Sequence, residues 1–243
     1  MTLVETIYRR SSVRAYTECA VDAATIGKIR DFIDGAKPLY PDIRVEYEIL
    51  EREKVRCIMP FVPPQTVAIF TEEREGAYEN VGFIFQQLDL FLQSIGLGSC
   101  WLGMGRLDKR SLADENIGRG LKFVMMLAFG YPKGEFLRCD VAQFNRLPLG
   151  TVSDLPDERL EPARLAPSSV NSQPWYFTHD GEFIHTYCDH KKLRSLFLKQ
   201  MNLIDVGIAL SHIYLSNPES FEFCHRDVGD DARGRRYIGS FKI

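Results

Sequence analysis

Ala166–Trp175 reads APSSVNSQPW, and this stretch decides the fold class of the chain. It separates a predicted helix over Glu158–Leu165 from a predicted strand at Tyr176–Phe177. Two prolines stiffen the loop, and its hydroxyl and amide side chains offer many hydrogen-bond donors and acceptors. Such a pre-ordered polar loop suits the edge of a planar heterocycle, although the same composition is also typical of an ordinary turn.

A second polar segment, Arg9–Arg14, reads RRSSVR and concentrates positive charge near the start of the chain. Arginine is a bidentate phosphate donor, and serine hydroxyls can complete an anion cradle. The alternative is a solvated charge run, because arginines also suit the C-terminal end of the short helix predicted for Thr2–Arg10. The candidate anion ligands are Arg10, Ser11, Ser12 and Arg14.

A glycine-rich segment, Gly96–Gly105, reads GLGSCWLGMG. It predicts a helix end, a strand over Ser99–Leu102 and then a tight loop. Glycines allow a ligand to approach the backbone closely, so exposed N–H groups could meet a bound ring. The pattern is weak by itself, since it could consist of turns only. The candidate ring contacts are Gly103, Met104 and Gly105.

Two apolar helices are predicted over Glu79–Ile95 and Asp205–Leu215, and their beginnings resemble each other. Asn80-Val81-Gly82-Phe83 matches Asp205-Val206-Gly207-Ile208, with Asn80 and Asp205 expected as capping residues. A glycine inside a helix costs roughly 1 kcal/mol relative to alanine. Its presence in both helices indicates close helix packing or a bound ligand, unless the match is a coincidence.

The remaining elements divide the chain into two sets at Asp154–Pro156, which predicts halves of residues 1–153 and 154–243. A further helix is predicted over Asp22–Ala36. Strands are predicted over Arg44–Leu50, Thr66–Phe70, Leu121–Phe129, Glu182–Tyr187 and Arg236–Phe241. The expected fold is α+β, with a mostly antiparallel sheet and covering helices in each half.

Composition excludes several classes of protein. The 243 residues carry a formal net charge of −3 without a basic run, which argues against a nucleic-acid partner. No apolar stretch reaches the roughly 18 residues of a membrane span, and the N-terminus lacks the apolar core of a signal peptide. Six scattered cysteines form no CxxC pair, and the histidines show no metal-ligand spacing. We therefore expect no metal and a reduced, cytoplasmic protein.

Together these segments resemble the FMN-dependent nitroreductase family. The likeness rests on the RRSxR-type motif, the APSxxNxQPW loop, the GLGSCWLG segment and a GYP turn at Gly130-Tyr131-Pro132. Asn145–Leu149 is similar to the basic segment of that family whose arginine, here Arg146, reaches the flavin phosphate. On the APSSVNSQPW loop, the resemblance implies flavin contacts from Pro167, Ser168, Ser169, Asn171 and Gln173.

The order of the motifs departs from the family pattern, in which APSxxNxQPW precedes GLGSCWLG. Here it follows the GYP turn, and the corresponding first-half slot, Ala36–Pro41, lacks the serines, asparagine and glutamine. Ordinary members are intertwined homodimers whose two sites each combine both subunits. The chain thus resembles a single-chain, pseudo-dimeric subgroup, with two fused halves that complement each other in one flavin site.

The resemblance implies FMN as cofactor and NAD(P)H as co-substrate, with a ping-pong hydride transfer to a nitro compound, a quinone or a similar small-molecule acceptor. The flavin performs the chemistry, so no catalytic side chain is expected. Two alternatives remain: a flavin-binding sensor or carrier without turnover, and a degenerate scaffold without flavin. The expected assembly is a monomeric pseudo-dimer or a homo-oligomer of it.

Overall fold

The computed structural model describes residues 1–57, 61, 63–108, 117–189 and 196–243. The α-helices are α1 (Leu3–Ile7), α2 (Ala23–Asp34), α3 (Ala77–Ser94), α4 (Leu149–Val152), α5 (Glu161–Arg164) and α6 (Leu196–Ser216). The strands are β1 (Val45–Glu51), β2 (Val55–Cys57), β3 (Gln65–Thr71), β4 (Gly98–Leu102), β5 (Gly105–Leu107), β6 (Lys122–Gly130), β7 (Trp175–Asp180), β8 (Phe183–Cys188), β9 (Glu222–Cys224) and β10 (Arg236–Lys242). Within these ranges, no helix combines the length and apolar character that a membrane crossing requires.

Two four-stranded antiparallel sheets form the framework, and both have the same strand order. The first is ordered β1-β3-β6-β4 and the second β7-β8-β10-β9. In each sheet the first strand pairs with the second, the second with the fourth and the fourth with the third. A long helix joins the second strand to the third in both cases, α3 in one and α6 in the other. The predicted α+β fold with antiparallel sheets is confirmed.

Strand β3 explains why the first sheet is buried on both faces. Side chains alternate across a strand, so Val67 and Ile69 point to one side and Ala68 and Phe70 to the other. The first pair packs in a core cluster with α2 and α3, and the second pair packs with Val13 and other residues of a separate cluster. The first sheet therefore gives a rigid support to the glycine segment and to the RRSSVR segment.

The central helices α3 and α6 cross at two glycines that make reciprocal contacts. A Cβ atom added at Gly82 would lie 2.0 Å from the carbonyl oxygen of Ile204. One added at Gly207 would lie 2.0 Å from the carbonyl oxygen of Glu79. Each glycine thus faces the residue three positions before the other glycine. Close helix packing, one of the two explanations that the sequence left open, accounts for both glycines.

The capping roles predicted for Asn80 and Asp205 are wrong, because both helices begin earlier. Helix α3 starts after Gly76, and α6 already includes Leu196. Both side chains are buried one or more turns inside their helices and bind a loop of their own half. Asn80 Oδ1 accepts hydrogen bonds from the backbone N–H groups of Leu39 and Tyr40 at 2.9 and 3.0 Å.

Local end signals were more reliable. Asp22 caps α2 by accepting the Thr25 backbone N–H, as its position before the apolar run indicates. Helix α3 ends at Ser94, and Gly96 directly after the Ile95 cap has a φ of +87° in the left-handed region, while the Leu97 N–H binds the Leu92 carbonyl. The first helix is shorter than predicted and ends at Ile7. The short strand β9 has no counterpart among the predicted elements.

Candidate cofactor site

The loop between α5 and β7 has an unusual backbone. Val170, Asn171 and Gln173 have φ values of +48°, +57° and +48°, and Asn145 (φ +45°) is the other non-glycine residue with positive φ in the described ranges. Val170 is β-branched and 91% exposed, so no local packing compensates for this strain. Backbone strain of this kind concentrates at functional sites.

The side chains of the loop hold its shape. Ser168 Oγ accepts the Gln173 backbone N–H at 2.9 Å, and Gln173 Oε1 accepts the Leu147 backbone N–H at 2.8 Å. Gln173 Nε2 also donates to the Asn171 carbonyl at 3.2 Å. Pro167 is buried beneath the loop. Ser168 and Gln173 therefore fix the conformation, and they attach the loop to the segment that carries Arg146.

Asp205 of α6 anchors the same loop from below. Its two carboxylate oxygens lie 3.1 and 3.0 Å from the backbone nitrogen of Ser169, which donates, and Ser172 Oγ lies 3.5 Å away. Burial raises the pKa of Asp205 to about 8 against the opposing effect of these hydrogen bonds. From sequence patterns Asp205 was expected only to cap its helix, because its actual partner, Ser169, lies 36 residues away in the chain.

Arg146 joins the basic segment of the first half to this loop. Its Nε donates to the Ala166 carbonyl at 2.9 Å, and one terminal nitrogen donates to Asn171 Oδ1 at 2.6 Å and to the Phe144 carbonyl at 2.9 Å. The Asn171 amide nitrogen donates in turn to the Asn145 carbonyl at 3.0 Å. The structure thus brings together Arg146 and Asn171, two residues that the sequence nominated separately.

Three arginines form a cationic cluster that the protein balances incompletely. Arg10 pairs with Asp89 at 2.9 Å. Within the described residues, the hydrogen-bond acceptors of Arg138 and Arg146 are all neutral oxygens. Burial and the neighbouring positive charges lower the pKa of Arg146 to about 10. Burial and Arg10 also lower the pKa of Arg138. A partly buried cluster with excess positive charge is suited to binding an anion.

Arg138 belongs to this cluster although no motif predicted it. Its guanidinium donates to the Arg10 carbonyl and lies 4.3 Å from the centre of the Phe144 ring, over which Arg146 also lies at 5.9 Å. The backbones of Arg9 and Arg138 are also paired. A single basic residue in a loop gives no sequence signal of such a role.

The RRSSVR segment is fixed by the end of α3 and by β4. Gln93 binds both the backbone N–H and the carbonyl of Ser11, at 3.0 and 2.9 Å, and the Val13 N–H binds the Ser99 carbonyl at 2.9 Å. Arg10 is only 1% exposed, so a solvated charge run is the wrong interpretation for that residue. Its guanidinium reaches Ser12 Oγ at 3.4 Å, whereas Arg14 is exposed and donates to the Ser12 carbonyl.

A buried hydrogen-bond network connects Arg10 to the glycine segment. Asp89 accepts from Arg10, from Ser99 Oγ at 2.7 Å and from the Gln86 amide at 3.1 Å. Gln86 Oε1 accepts from the indole N–H of Trp101 at 3.0 Å. The network therefore fixes the position of the arginine cluster relative to the glycine segment.

His212 ends this network on its other side. Its Nε2 lies 3.0 Å from the Gln86 amide nitrogen and its Nδ1 lies 2.8 Å from the Pro162 carbonyl. Burial lowers the pKa of His212 to about 3, so the ring is neutral at physiological pH. His212 is a satisfied core residue, in agreement with its position on an apolar helix face.

The glycine loop meets the second-half loop through Met201 of α6. A Cβ atom at Gly103 would lie 2.3 Å from Met201 Cε, and Met201 Sδ accepts a long hydrogen bond from Ser169 Oγ at 3.7 Å. Met104 is 48% exposed, and Gly105 is buried at the start of β5. Gly103 thus allows the Met201 side chain to approach the glycine loop closely. Met201 was not among the site residues predicted from the sequence.

Comparison with known proteins identifies the family. A family model described as "Putative TM nitroreductase" matches residues 2–217. The chain belongs to this nitroreductase family. The resemblance inferred from the sequence motifs is thereby confirmed. No match to this nitroreductase-family chain is found among curated proteins.

Solved structures resemble the same fold. A "putative nitroreductase" from Thermotoga maritima is 22% identical, with a TM-score of 0.64 over 99% of this chain and 92% of that one. At that identity the likeness shows the fold. An "FMN-dependent Nitroreductase" from Clostridium difficile is 16% identical (TM-score 0.44, 60% of this chain, 98% of that one). A "Nitroreductase with Bound FMN" from Bacteroides fragilis is 18% identical (TM-score 0.42, 56% of this chain, 91% of that one).

Proposed function

We propose that this nitroreductase-family protein binds one FMN between its two halves and acts as an FMN-dependent oxidoreductase. The observation that carries the proposal is the hydrogen bond of Arg146 to Asn171, beside a partly buried arginine cluster with excess positive charge. A flavin phosphate supplies the missing anion, and the strained polar loop beside it supplies hydrogen-bonding groups for the ring.

The residues present fit the cofactor. A phosphate dianion can be shared by the three guanidinium groups of the cluster, because phosphate accepts several charge-assisted hydrogen bonds. These groups belong to Arg10, Arg138 and Arg146. The other proposed phosphate ligands lie on the RRSSVR segment, which Gln93 and β4 hold in place: Ser11, Ser12 and Arg14. The ring contacts are assigned to Gly103, Met104, Gly105, Pro167, Ser168, Ser169, Asn171 and Gln173. Bound FMN would supply hydride transfer from NAD(P)H to a nitro compound, a quinone or a similar acceptor by a ping-pong route.

The protein's own residues position and shield this site. Asp205 and Ser168 keep the second-half loop in its strained conformation, and the Asp89 network keeps Arg10 and Trp101 in place. Because these supports are buried, they give a rigid, partly dry environment in which electrostatic contacts are stronger than in water. His212 is neutral and buried, so it is not assigned a proton-transfer role.

We further propose that residues 1–153 and 154–243 are related halves of a pseudo-dimer. Three observations support this: the shared strand order of the two sheets, the reciprocal contacts of Gly82 and Gly207, and the loops bound by Asn80 and Asp205. Contacts in which residue i meets j and j meets i are expected at a two-fold interface. In this account the two halves contribute different parts of one flavin site.

Flavin titration tests both proposals. The purified protein should show a flavin absorbance spectrum with one phosphorus per flavin, and a saturating ratio of one flavin per chain. A ratio near two would contradict the complementation of the halves, and a colourless protein without affinity for FMN would contradict the cofactor. Steady-state NAD(P)H oxidation with a quinone or nitroarene then separates an enzyme from a flavin-binding protein without turnover.

A further inference from the structure

A cavity of about 410 Å³ lies between the start of α3 and the second sheet, and none of the predicted flavin residues lines it. The start of α3 and the segment around Tyr40 form one wall, and the segment after β9 and the start of β10 form the other. The volume lies within the range of about 300–1,000 Å³ typical of small-molecule pockets. None of the lining residues was nominated from the sequence.

Glu79 gives this cavity its chemical character. It lies in the first turn of α3, is only 3% exposed, and its Oε2 atom has no hydrogen-bond partner in the described structure. A buried carboxyl oxygen without a partner is destabilising, so its position in the wall of a cavity points to a bound donor. Burial raises the pKa of Glu79, which would let the carboxyl group both donate and accept a hydrogen bond.

Aromatic rings line the rest of the cavity. Tyr40 stacks on His225 with ring centroids 5.7 Å apart and an angle of 21° between the planes. The Tyr237 ring meets His225 edge-on at 6.5 Å and 77°. Gly76 allows this arrangement, because a Cβ atom there would lie only 3.0 Å from the Tyr40 ring. Flat aromatic faces beside a polar group favour a flat heteroaromatic ligand.

The charges of the cavity do not favour a phosphate. Arg236 pairs with Glu75 at 2.6 Å and Arg74 pairs with Asp42 at 2.8 Å. Because each lining arginine already has a carboxylate partner, the cavity lacks the excess positive charge of the flavin site. The adjacent slot, Ala36–Pro41, also lacks the serines and amides of the second-half loop.

We propose that this cavity is a second ligand site, for a phosphate-free, amino-substituted heteroaromatic molecule whose N–H edge meets Glu79 and whose ring packs against Tyr40. In the pseudo-dimer proposed above, the cavity occupies the position related to the flavin site, since it combines the loop and helix start of one half with the third and fourth strands of the other. Only this account of its origin rests on the pseudo-dimer. The ligand assignment stands on Glu79 and the aromatic lining.

Calorimetric titration of the FMN-loaded protein with adenine tests the proposal, with unsubstituted purine as the matched ligand that lacks the amino group. Adenine should bind once per chain, and purine should bind at least about tenfold more weakly, because it leaves the Glu79 carboxyl oxygen without a hydrogen-bond partner. Equal affinities, or no adenine binding at millimolar concentration, would overturn the proposal.

Two variants locate the binding. Glu79→Leu should weaken adenine binding at least about tenfold and leave or raise the Tm, because an apolar side chain removes the unpartnered oxygen. Glu73→Gln removes an exposed carboxylate that pairs with Lys122 outside the cavity lining, and it should change the affinity less than about twofold. Flavin absorbance is recorded in every titration. Displacement of FMN by adenine, or unchanged adenine binding in Glu79→Leu, would refute the cavity proposal and leave the flavin proposal standing. If the protein binds adenine but no flavin, the flavin proposal is refuted and the cavity proposal stands.

Discussion

Replacement of Gly207 by alanine is expected to separate the two central helices. The added Cβ would lie 2.0 Å from the Glu79 carbonyl oxygen, and ordinary contact needs at least 3.4 Å. The obstacle is helix backbone, which cannot rotate away as a side chain can. The helices must therefore move apart by roughly 1 Å or more, and overpacking of this kind typically costs about 1–3 kcal/mol.

The expected magnitude includes an opposing effect. Alanine is favoured over glycine inside a helix by about 1 kcal/mol, which offsets part of the cost. Because a clash with rigid backbone belongs at the upper end of overpacking costs, about 3 kcal/mol, we expect a net loss of about 2 kcal/mol. For a chain of this length, each kcal/mol changes the Tm by about 2–4 °C, so the Tm should fall by roughly 4–8 °C.

Gly27→Ala is the matched control for this experiment. Gly27 lies inside α2 and has no atom within 4 Å of an added Cβ, so alanine should be neutral or stabilise by up to about 1 kcal/mol. Differential scanning calorimetry compares both variants with Gly82→Ala and with the Gly82/Gly207 double variant. The two central substitutions should combine less than additively, because the helices separate only once. If Gly207→Ala keeps or raises the Tm, the reasoning about helix contact is refuted.

The other predictions concern the site and its supports. Arg146→Met should weaken FMN binding about tenfold or more, from the loss of a charge-assisted hydrogen bond of roughly 1.5–3 kcal/mol, and should spare riboflavin; equal loss of both ligands in fluorescence titration would argue against a phosphate contact. Asn171→Ala should also weaken FMN, but add little in the Arg146→Met background, since the two side chains act as one unit. Asp205 binds a proton in the folded protein up to pH about 8, against 3.8 unfolded, so it should make stability fall as pH rises from about 4 to about 8. Denaturant unfolding of Asp205→Asn across this range should lack that slope, and an unchanged slope would exclude Asp205 as its source.

The sequence predicted those features of the structure that depend on residues close together in the chain. The apolar periodicity of α3, the Asp22 cap and the glycine end at Gly96 all depend on residues within one or two helical turns. The β-branched run at Thr66–Phe70 likewise corresponds to β3, with one additional residue at each end. These signals predicted the α+β class, and the dense APSSVNSQPW motif predicted the family.

The residues that sequence reasoning missed act across long distances in the chain. Arg138 meets Arg10 over 128 positions, and Asp205 meets Ser169 over 36. Met201 lies on an apolar helix face, where a methionine is usually a core residue, so its contact with Gly103 carries no pattern. The two central helices begin earlier than predicted, because each predicted start depended on a single polar residue, Asn80 or Asp205. In the structure these residues lie inside the helices and bind loops.

Asn80 and Asp205 hold loops in place instead of capping their helices. Both are buried on the central helices and both bind backbone N–H groups of the loop before the first strand of their half. Asn80 offers a neutral amide, which stabilises its loop without titrating. Asp205 offers a carboxyl group whose ionised form is disfavoured by burial, beside the loop that Arg146 joins. Burial keeps this carboxyl group protonated below about pH 8, so a titratable side chain supports the loop of the proposed flavin site and a non-titratable one supports the loop at the second cavity.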